Sequence, residues 1–310
     1  MTIIFFGSDE FAAAHLEKLS SARHKILAVV TQPDKARGRH LKISELPVKE
    51  VALRYGYPVL QPGKITDKEF SVQLKDFAAD IFVVIAYGKI LPVDVLSVPR
   101  KFCINVHASL LPKYRGASPI HWAVINGDET TGVTIIKMNS QLDAGEIICQ
   151  DEVPITAEDT TVTLKRKLTE TGRQLLIKTL AAIEAGTFSC RAQEESSATY
   201  VAKLTKELGL IDWAKPAAET HNLVRGLQPW PGAYTFCQQK VLKILETNVA
   251  ESQAPAASPG QVVKIGKEGF DVVTGRGILR VCTVHPESAK PMSAHSFILG
   301  QRINVGFRFG

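Results

Sequence analysis

Cysteine is scarce and scattered. The five residues Cys103, Cys149, Cys190, Cys237 and Cys282 lie far apart and include no CxxC pair, which argues against both a disulfide framework and a structural zinc site. No apolar run approaches the ~18 residues of a membrane helix; the longest, around residues 81–86, is strand-sized. The N-terminus, MTIIFFGSDEF, has no basic region before its short apolar run, and Asp9 and Glu10 follow at once. That is not the pattern of a secretory signal. Two nucleotide fingerprints are missing as well. The segment GSDEFA after the first apolar run has one glycine where a dinucleotide motif needs three, and its two acids would repel a pyrophosphate at a helix N-terminus. No G-x-x-x-x-G-K-[ST] occurs. These absences predict a cytoplasmic protein with no membrane association, no metal, and no nicotinamide, flavin or P-loop nucleotide.

What is present is an ordinary globular composition. The chain has 310 residues, 45% hydrophobic and 22% charged, and its length predicts two domains. The net charge of +6 is unevenly spread: residues 200–310 hold 13 Lys+Arg against 8 Asp+Glu, and the first 199 are almost neutral. A basic module attached to a neutral one suggests a polyanionic partner, although a well-solvated basic surface explains the same numbers.

The first ~190 residues alternate strand and helix signals. Residues 2–6, 25–31, 80–86, 102–107 and 131–138 are nearly all apolar, as in a mostly parallel sheet covered on both faces. Residues 146–153 alternate polar and apolar, which suits a strand at the sheet edge. Ser8 or Asp9 can cap a helix whose apolar face is Phe11, His15, Leu16 and Leu19. Pro33 opens a polar loop to about residue 46, and Pro47 fits the first turn of a helix to residue 55. Residues 160–185 read as a long amphipathic helix with Leu164, Leu168, Leu175, Leu176, Thr179 and Leu180 on one face. Residues 190–208 are polar and small in part, which predicts a linker. Beyond them a helix over 217–226 precedes five short β-type runs at ~8–12-residue spacing, the signature of a small β-barrel or sandwich. The predicted division is therefore 1–189, a linker over 190–208, and 209–310. Residues 250–259 look like an exposed loop.

The chemistry concentrates in FCINVHASLLPKYRG, residues 102–116. An apolar strand stops at Asn105-Val106-His107, and strand carboxyl ends face the ligand crevice of an open α/β sheet. Period-2 alternation puts Asn105 and His107 on one side. An amide donor can stabilise a developing oxyanion, and an imidazole can give or take a proton. Two buried, satisfied strand residues would read the same way. About 35 residues on, Asp143 sits in a loop before Gly145; it can orient the imidazole and hold its charge, or close its own turn.

Taken together, Asn105-x-His107-x-Ser109-Leu110-Leu111-Pro112-x-Tyr114-Arg115-Gly116 followed by Leu142-Asp143-x-Gly145-x-Ile147 resembles the folate-dependent formyltransferases. The resemblance implies formyl transfer from 10-formyltetrahydrofolate, used as a cosubstrate, to an amine. It implies a Rossmann-like catalytic domain and a C-terminal OB-like barrel. Asn105, His107 and Asp143 become the catalytic set, and Ser109, Leu110, Leu111 and Pro112 help shape the folate site. The pteridine contacts fall to the backbone near residues 86–91 and 139–144.

The acceptor follows from three further features. A C-terminal domain is present. The loop over residues 31–42, leading to Pro47-Val48-Lys49, and the segments Lys203–Glu207, Ile211-Asp212-Trp213 and Pro229-Trp230-Pro231 resemble those of family members that act on initiator methionyl-tRNA. Arg37, Arg39 and Lys42, with Lys49 just after, can set guanidinium and ammonium groups against a tRNA end; Arg39 occupies the position of a functionally important arginine in the family. Lys203 and Lys206 can meet acceptor-stem phosphates, and the basic C-terminal module can hold the rest of the stem. A solvated charge run is the plainer explanation of the same residues. Trp122, Trp213 and Trp230 are expected to be core or domain-contact anchors, and Cys103 a core residue. Phe11 is expected at the crevice, where by resemblance it touches the methionine side chain. The expected assembly is a monomer.

Overall fold

A computed structural model describes residues 1–37, 42–252 and 256–310, with only the backbone of 35–37 and 42–44. By contact the chain divides into two units. The first joins Met1–Gly116, Thr130–Pro154 and Lys165–Val201, and the second joins Ala117–Glu129, Ile155–Leu164 and Ala202–Gly310.

The elements run β1 (Thr2–Gly7), α1 (Glu10–Ser20), β2 (Lys25–Val30), β3 (Lys35–Arg37), β4 (Lys42–Ser44), α2 (Pro47–Arg54), β5 (Val59–Leu60), α3 (Lys68–Asp76), β6 (Ile81–Ile85), α4 (Val93–Leu96) and β7 (Phe102–His107). They continue as β8 (Arg115–Gly116), α5 (Pro119–Ile125), β9 (Thr130–Lys137), β10 (Glu146–Pro154), α6 (Thr161–Ala185) and β11 (Tyr200–Val201). Seven strands form one sheet in the order β10-β9-β7-β6-β1-β2-β5. β5, β2, β1, β6 and β7 are mutually parallel. β9 and β10 run antiparallel at one edge.

The pleat explains the apolar strands. Ile4 and Phe6 of β1 pack with Phe70 and Leu74 of α3 and Val95 of α4. Ile3 and Phe5 point the other way and are equally buried, so both faces of the sheet are covered. Burying such a side chain contributes about 1.5–3 kcal/mol each. Asp9 caps α1, its Oδ1 accepting from the Ala12 N–H at 2.9 Å, and Phe11, His15, Leu16 and Leu19 are buried as the pattern predicts. In α6 the six residues of the predicted stripe, Leu164 to Leu180, are buried as well. The chain leaves β1 for β2 on one side and returns as β6 on the other. This places a topological switch at the carboxyl ends of β1 and β6, with β7 next to it.

Some elements were not anticipated. The polar loop after Pro33 contains the antiparallel pair β3 and β4. β5 has only two residues, too few to show a period. The buried face of α3 is Phe70, Ser71 and Leu74, which makes a weak stripe. The predicted linker is not uniformly loose: β11 pairs in parallel with β8, Val201 opposite Gly116.

The second unit holds α5 together with α7 (Ala217–Gly226). It also contains β12 (Ala233–Cys237), β13 (Lys240–Glu251), β14 (Val262–Gly266), β15 (Gly269–Val273), β16 (Ile278–Pro286), β17 (Met292–Ser293) and α8 (Ala294–Gln301). Its sheet is antiparallel with the order β12-β13-β16-β15-β14, and β17 pairs with β16. Trp213, Phe270, Phe297 and Phe309 are in its core, and the Trp213 indole N–H donates to Thr235 Oγ1 at 3.1 Å. Arg225, 8% exposed, donates to the Asp159 carbonyl at 2.7 Å, and Thr161 Oγ1 donates to the Gly226 carbonyl at 2.7 Å. These bonds draw 155–164 into the unit. The loop predicted at 250–259 falls partly outside the described residues; its first two positions belong to β13. No helix among the described residues is long and apolar enough to cross a membrane.

Candidate active site

β7 delivers Asn105 and His107 to the same side of the sheet end, and the connection from β9 to β10 brings Asp143 to them. That connection turns sharply. At Gly145 a Cβ would run into the Lys137 carbonyl, so only glycine fits there. Asp143 itself has φ 50°, a conformation uncommon outside glycine.

The three side chains meet. Asn105 Nδ2 donates to Asp143 Oδ1 at 3.2 Å. The Gly116 backbone N–H donates to Asp143 Oδ2 at 2.8 Å. His107 Nδ1 lies 3.7 Å from Asp143 Oδ2, and the imidazole is 7% exposed. That separation suits an ion pair with a protonated ring and is too long for a hydrogen bond. His107 Nε2 is 2.9 Å from the Tyr114 carbonyl. A carbonyl only accepts, so Nε2 carries the proton and Nδ1 is the nitrogen beside the carboxylate.

The Ser109–Pro112 turn is packed inward. Ser109 Oγ donates to the Lys113 carbonyl at 2.7 Å, and the Leu111 N–H donates to Thr134 Oγ1 at 3.1 Å. Leu111 is buried with Ile136 and Ile147. Leu110 and Pro112 are half-buried, and Leu110 packs over Gly132, where a Cβ would lie 2.5 Å from its Cδ2. The turn carries the chain from β7 to the Tyr114 carbonyl that anchors His107.

Several site residues had no assigned role in the sequence. Arg115 is 1% exposed, and its guanidinium forms a bidentate pair with Glu195 at 2.9 Å on each arm. This hydrogen-bonded pairing raises the Arg115 pKa and lowers that of Glu195. Gln193 reaches the loop that holds Asp143. Nothing in the polar stretch around residue 193 distinguishes it from a linker.

Other predicted residues fall elsewhere. Arg39 lies outside the described residues, and Arg37 and Lys42 are described only as backbone of β3 and β4. Lys49 is ion-paired with Asp34 and, at 3.4 Å, with Glu45. Lys203 and Lys206 are exposed in the second unit. Phe11 is 5% exposed and packs on the His15 ring at 4.4 Å between centroids, so it faces the interior of α1's packing. Burial pushes the Cys103 thiol up to about 12, as befits a core residue. Trp213 is a core anchor as expected, and Trp122 donates its indole N–H to the Ala202 carbonyl at 3.0 Å. Trp230 is not an anchor: it is 51% exposed, because Pro229 and Pro231 hold it on the connection between α7 and β12.

Ala86 and Gly88, after β6, have φ 45° and 78°, and the Tyr87 carbonyl between them accepts from Ser8 Oγ at 3.3 Å and from Gln32 Nε2 at 2.6 Å. Ile90, after β6, and Leu142, after β9, are exposed, at 68% and 46%.

Residues 1–180 match the family described as formyl transferase, and residues 203–302 match the formyl transferase C-terminal domain. The chain belongs to the formyl transferase family. Among curated relatives, the methionyl-tRNA formyltransferase of Lachnospira eligens is 44% identical over 314 residues, covering 100% of each chain. That of Caldanaerobacter subterraneus is 44% identical over 307 residues, covering 99% of each. Among solved structures, an N-formyltransferase from Helicobacter canadensis, in complex with folinic acid and dTDP-3-aminofucose, superposes with a TM-score of 0.68 at 19% identity. It covers 90% of this chain and 98% of that one.

Proposed function

We propose that the chain transfers the formyl group of 10-formyltetrahydrofolate to the α-amine of initiator methionyl-tRNA, giving the formylated tRNA for translation initiation. The observation that carries this reading is the convergence of Asn105, His107 and Asp143 at the sheet end, in a chain similar over its whole length to methionyl-tRNA formyltransferases. Bound 10-formyltetrahydrofolate supplies an activated one-carbon group. By family resemblance its pteridine meets the backbone near residues 86–91 and 139–144.

The protein's part is electrostatic and acid–base. Asn105 has two amide hydrogens; one is donated to Asp143, and the other serves the oxygen on which negative charge develops. Asp143 holds Asn105 through Oδ1 and faces His107 through Oδ2. It thereby stabilises the imidazolium formed when Nδ1 accepts a proton. That proton originates on the attacking amine and is returned to the departing nitrogen. The same carboxylate orients the amide donor and stabilises the imidazolium.

Recognition of the tRNA falls to Arg37, Arg39 and Lys42 at its acceptor end and to Lys203 and Lys206 on the stem. In this reading residues 1–189 are the catalytic domain, 190–208 a linker and 209–310 a tRNA-binding domain, acting as a monomer in the cytoplasm with its substrate. The test is formylation of charged initiator tRNA with 10-formyltetrahydrofolate, with uncharged tRNA and free methionine as controls. Product is expected only with the charged initiator, and Arg39→Ala is expected to cut that turnover by at least about tenfold while folate binding is retained. Formylation of a small amine but not of the tRNA would overturn the assigned acceptor.

A further inference from the structure

Asp143 is held in an uncommon backbone conformation, φ 50°, and such conformations persist only where surrounding contacts impose them. Asn105 and Gly116 hold the Asp143 carboxylate and Asn139 Nδ2 donates to the Ala144 carbonyl at 3.3 Å, while the carbonyls of Asp143 and Gly145 are held from one stretch of chain, residues 193–201. Gln193 Nε2 donates to the Asp143 carbonyl at 2.8 Å and to the Gly145 carbonyl at 2.7 Å. Both hydrogens of one amide thus grip the loop on either side of Ala144. Its Oε1 accepts from Arg115 Nε at 3.1 Å. The buried Arg115 fork also pairs with Glu195 and donates to Tyr200 Oη at 2.8 Å. At the far end of the stretch Val201 pairs with Gly116, whose N–H donates to the Asp143 carboxylate. At Gly116, φ is 106° and a Cβ would lie 2.6 Å from the Val201 carbonyl, so β8 and β11 approach closely. The segment therefore reaches Asp143 twice: through Gln193 on its main chain, and through Val201 and Gly116 on its carboxylate.

We propose that residues 193–201 form a positioning strap and that Gln193 is the positioning residue that sets the Asp143 carboxylate against Asn105 and His107. Arg115 locks the strap by binding Gln193, Glu195 and Tyr200 at once. Displacing a catalytic group by ~1 Å costs on the order of 100-fold in rate, so the strap acts on turnover rather than on binding. The proposal rests on the catalytic assignment of Asp143, and its test separates the two.

The variants are Gln193→Met, which keeps the length and removes donors and acceptor, and Gln193→Glu, which keeps the acceptor for Arg115 and removes both donors. They are measured in the full chain by formylation of charged initiator tRNA. Both are expected to lower kcat by about 10- to 100-fold, with KM for folate and for tRNA within about twofold. In an Asp143→Ala background, single-turnover rates should change by less than about twofold on adding Gln193→Met. A kcat within twofold of the parent, or an equal loss with and without Asp143, would overturn the strap. Normal turnover by Asp143→Ala alone would instead remove the catalytic assignment beneath it. Should the Gln193 variants not fold, Glu195→Gln provides the second test: its side chain is 72% exposed, and it weakens the Arg115 lock by one charge. It is expected to lower kcat with both KM values within about twofold, and an unchanged kcat overturns the proposal.

Discussion

Asn105 illustrates how little chemistry a single residue needs when its neighbours orient it. Its amide is one of the commonest polar groups in proteins, yet Asp143 takes one hydrogen and fixes the direction of the other. Asn105→Ala is expected to lower kcat by about 10²–10³ with KM for folate little changed, the usual cost of one oxyanion donor. Single-turnover measurements under saturating folate check this. Asn105→Asp should do no better, since a carboxylate cannot donate and would face Asp143 as a like charge. At the same scale, His107 shows a division of labour between two nitrogens. Nε2 is committed to the Tyr114 carbonyl, which leaves Nδ1 as the atom that faces Asp143.

At the scale of the element, α1 combines a well-placed cap with a buried liability. Asp9 caps its first turn. One turn further on, His15 is fully buried. Its Nδ1 donates to the Phe11 carbonyl at 2.7 Å, and its Nε2 has no hydrogen-bond partner among the described residues. Gly172 leaves the room for that nitrogen, because a Cβ there would lie 2.6 Å from it. Burial lowers the His15 pKa from 6.5 to about 4. The unfolded chain therefore binds a proton that the fold refuses between those two values. The stability associated with neutral His15 is complete above about pH 6.5 and is lost as pH falls toward 4. The loss is roughly 3 kcal/mol by linkage. In urea unfolding followed from pH 7 to 4, the stability of the parent relative to His15→Met should fall by an amount of that order. Parallel curves would mean that His15 does not titrate on unfolding.

At the scale of the whole molecule, charge is segregated along the chain: the excess of basic residues lies beyond residue 200. A protein that neutralises several phosphates releases their counterions on binding, so affinity falls steeply with salt. Raising monovalent salt from 50 to 200 mM is expected to lower kcat/KM for the tRNA by at least about tenfold. KM for the folate should move by less than about twofold. Equal sensitivity of both substrates would argue that salt acts on the fold instead. The division into two units also crosses the chain order. Residues 117–129 and 155–164 group with the C-terminal sheet, so the second unit takes two pieces from within the span matched by the catalytic family.

The sequence by itself determined the elements whose signals are local and strong. The nearly all-apolar strands require a sheet covered on both faces. The alternation at 146–153 marks an edge strand, and the face of α6 can be read residue by residue. It also placed Asn105 and His107 on one strand face by period 2, and the resemblance of the motif around Asp143 pointed to the third member of the cluster that the fold brings together. Tertiary structure alone decided what holds that set in place. No local pattern tells that β9 turns antiparallel, that the Tyr114 carbonyl takes the imidazole proton, or that Trp230 stands in solvent. Least of all does the polar stretch around Gln193 and Glu195 announce that it reaches Arg115 and the Asp143 loop. Those contacts span about 50 to 80 residues of chain. The energy of a hydrogen bond to a backbone carbonyl does not depend on the neighbours of the donor in sequence. A residue that acts through such a bond can therefore sit in any polar context, and only the fold reveals which one it is.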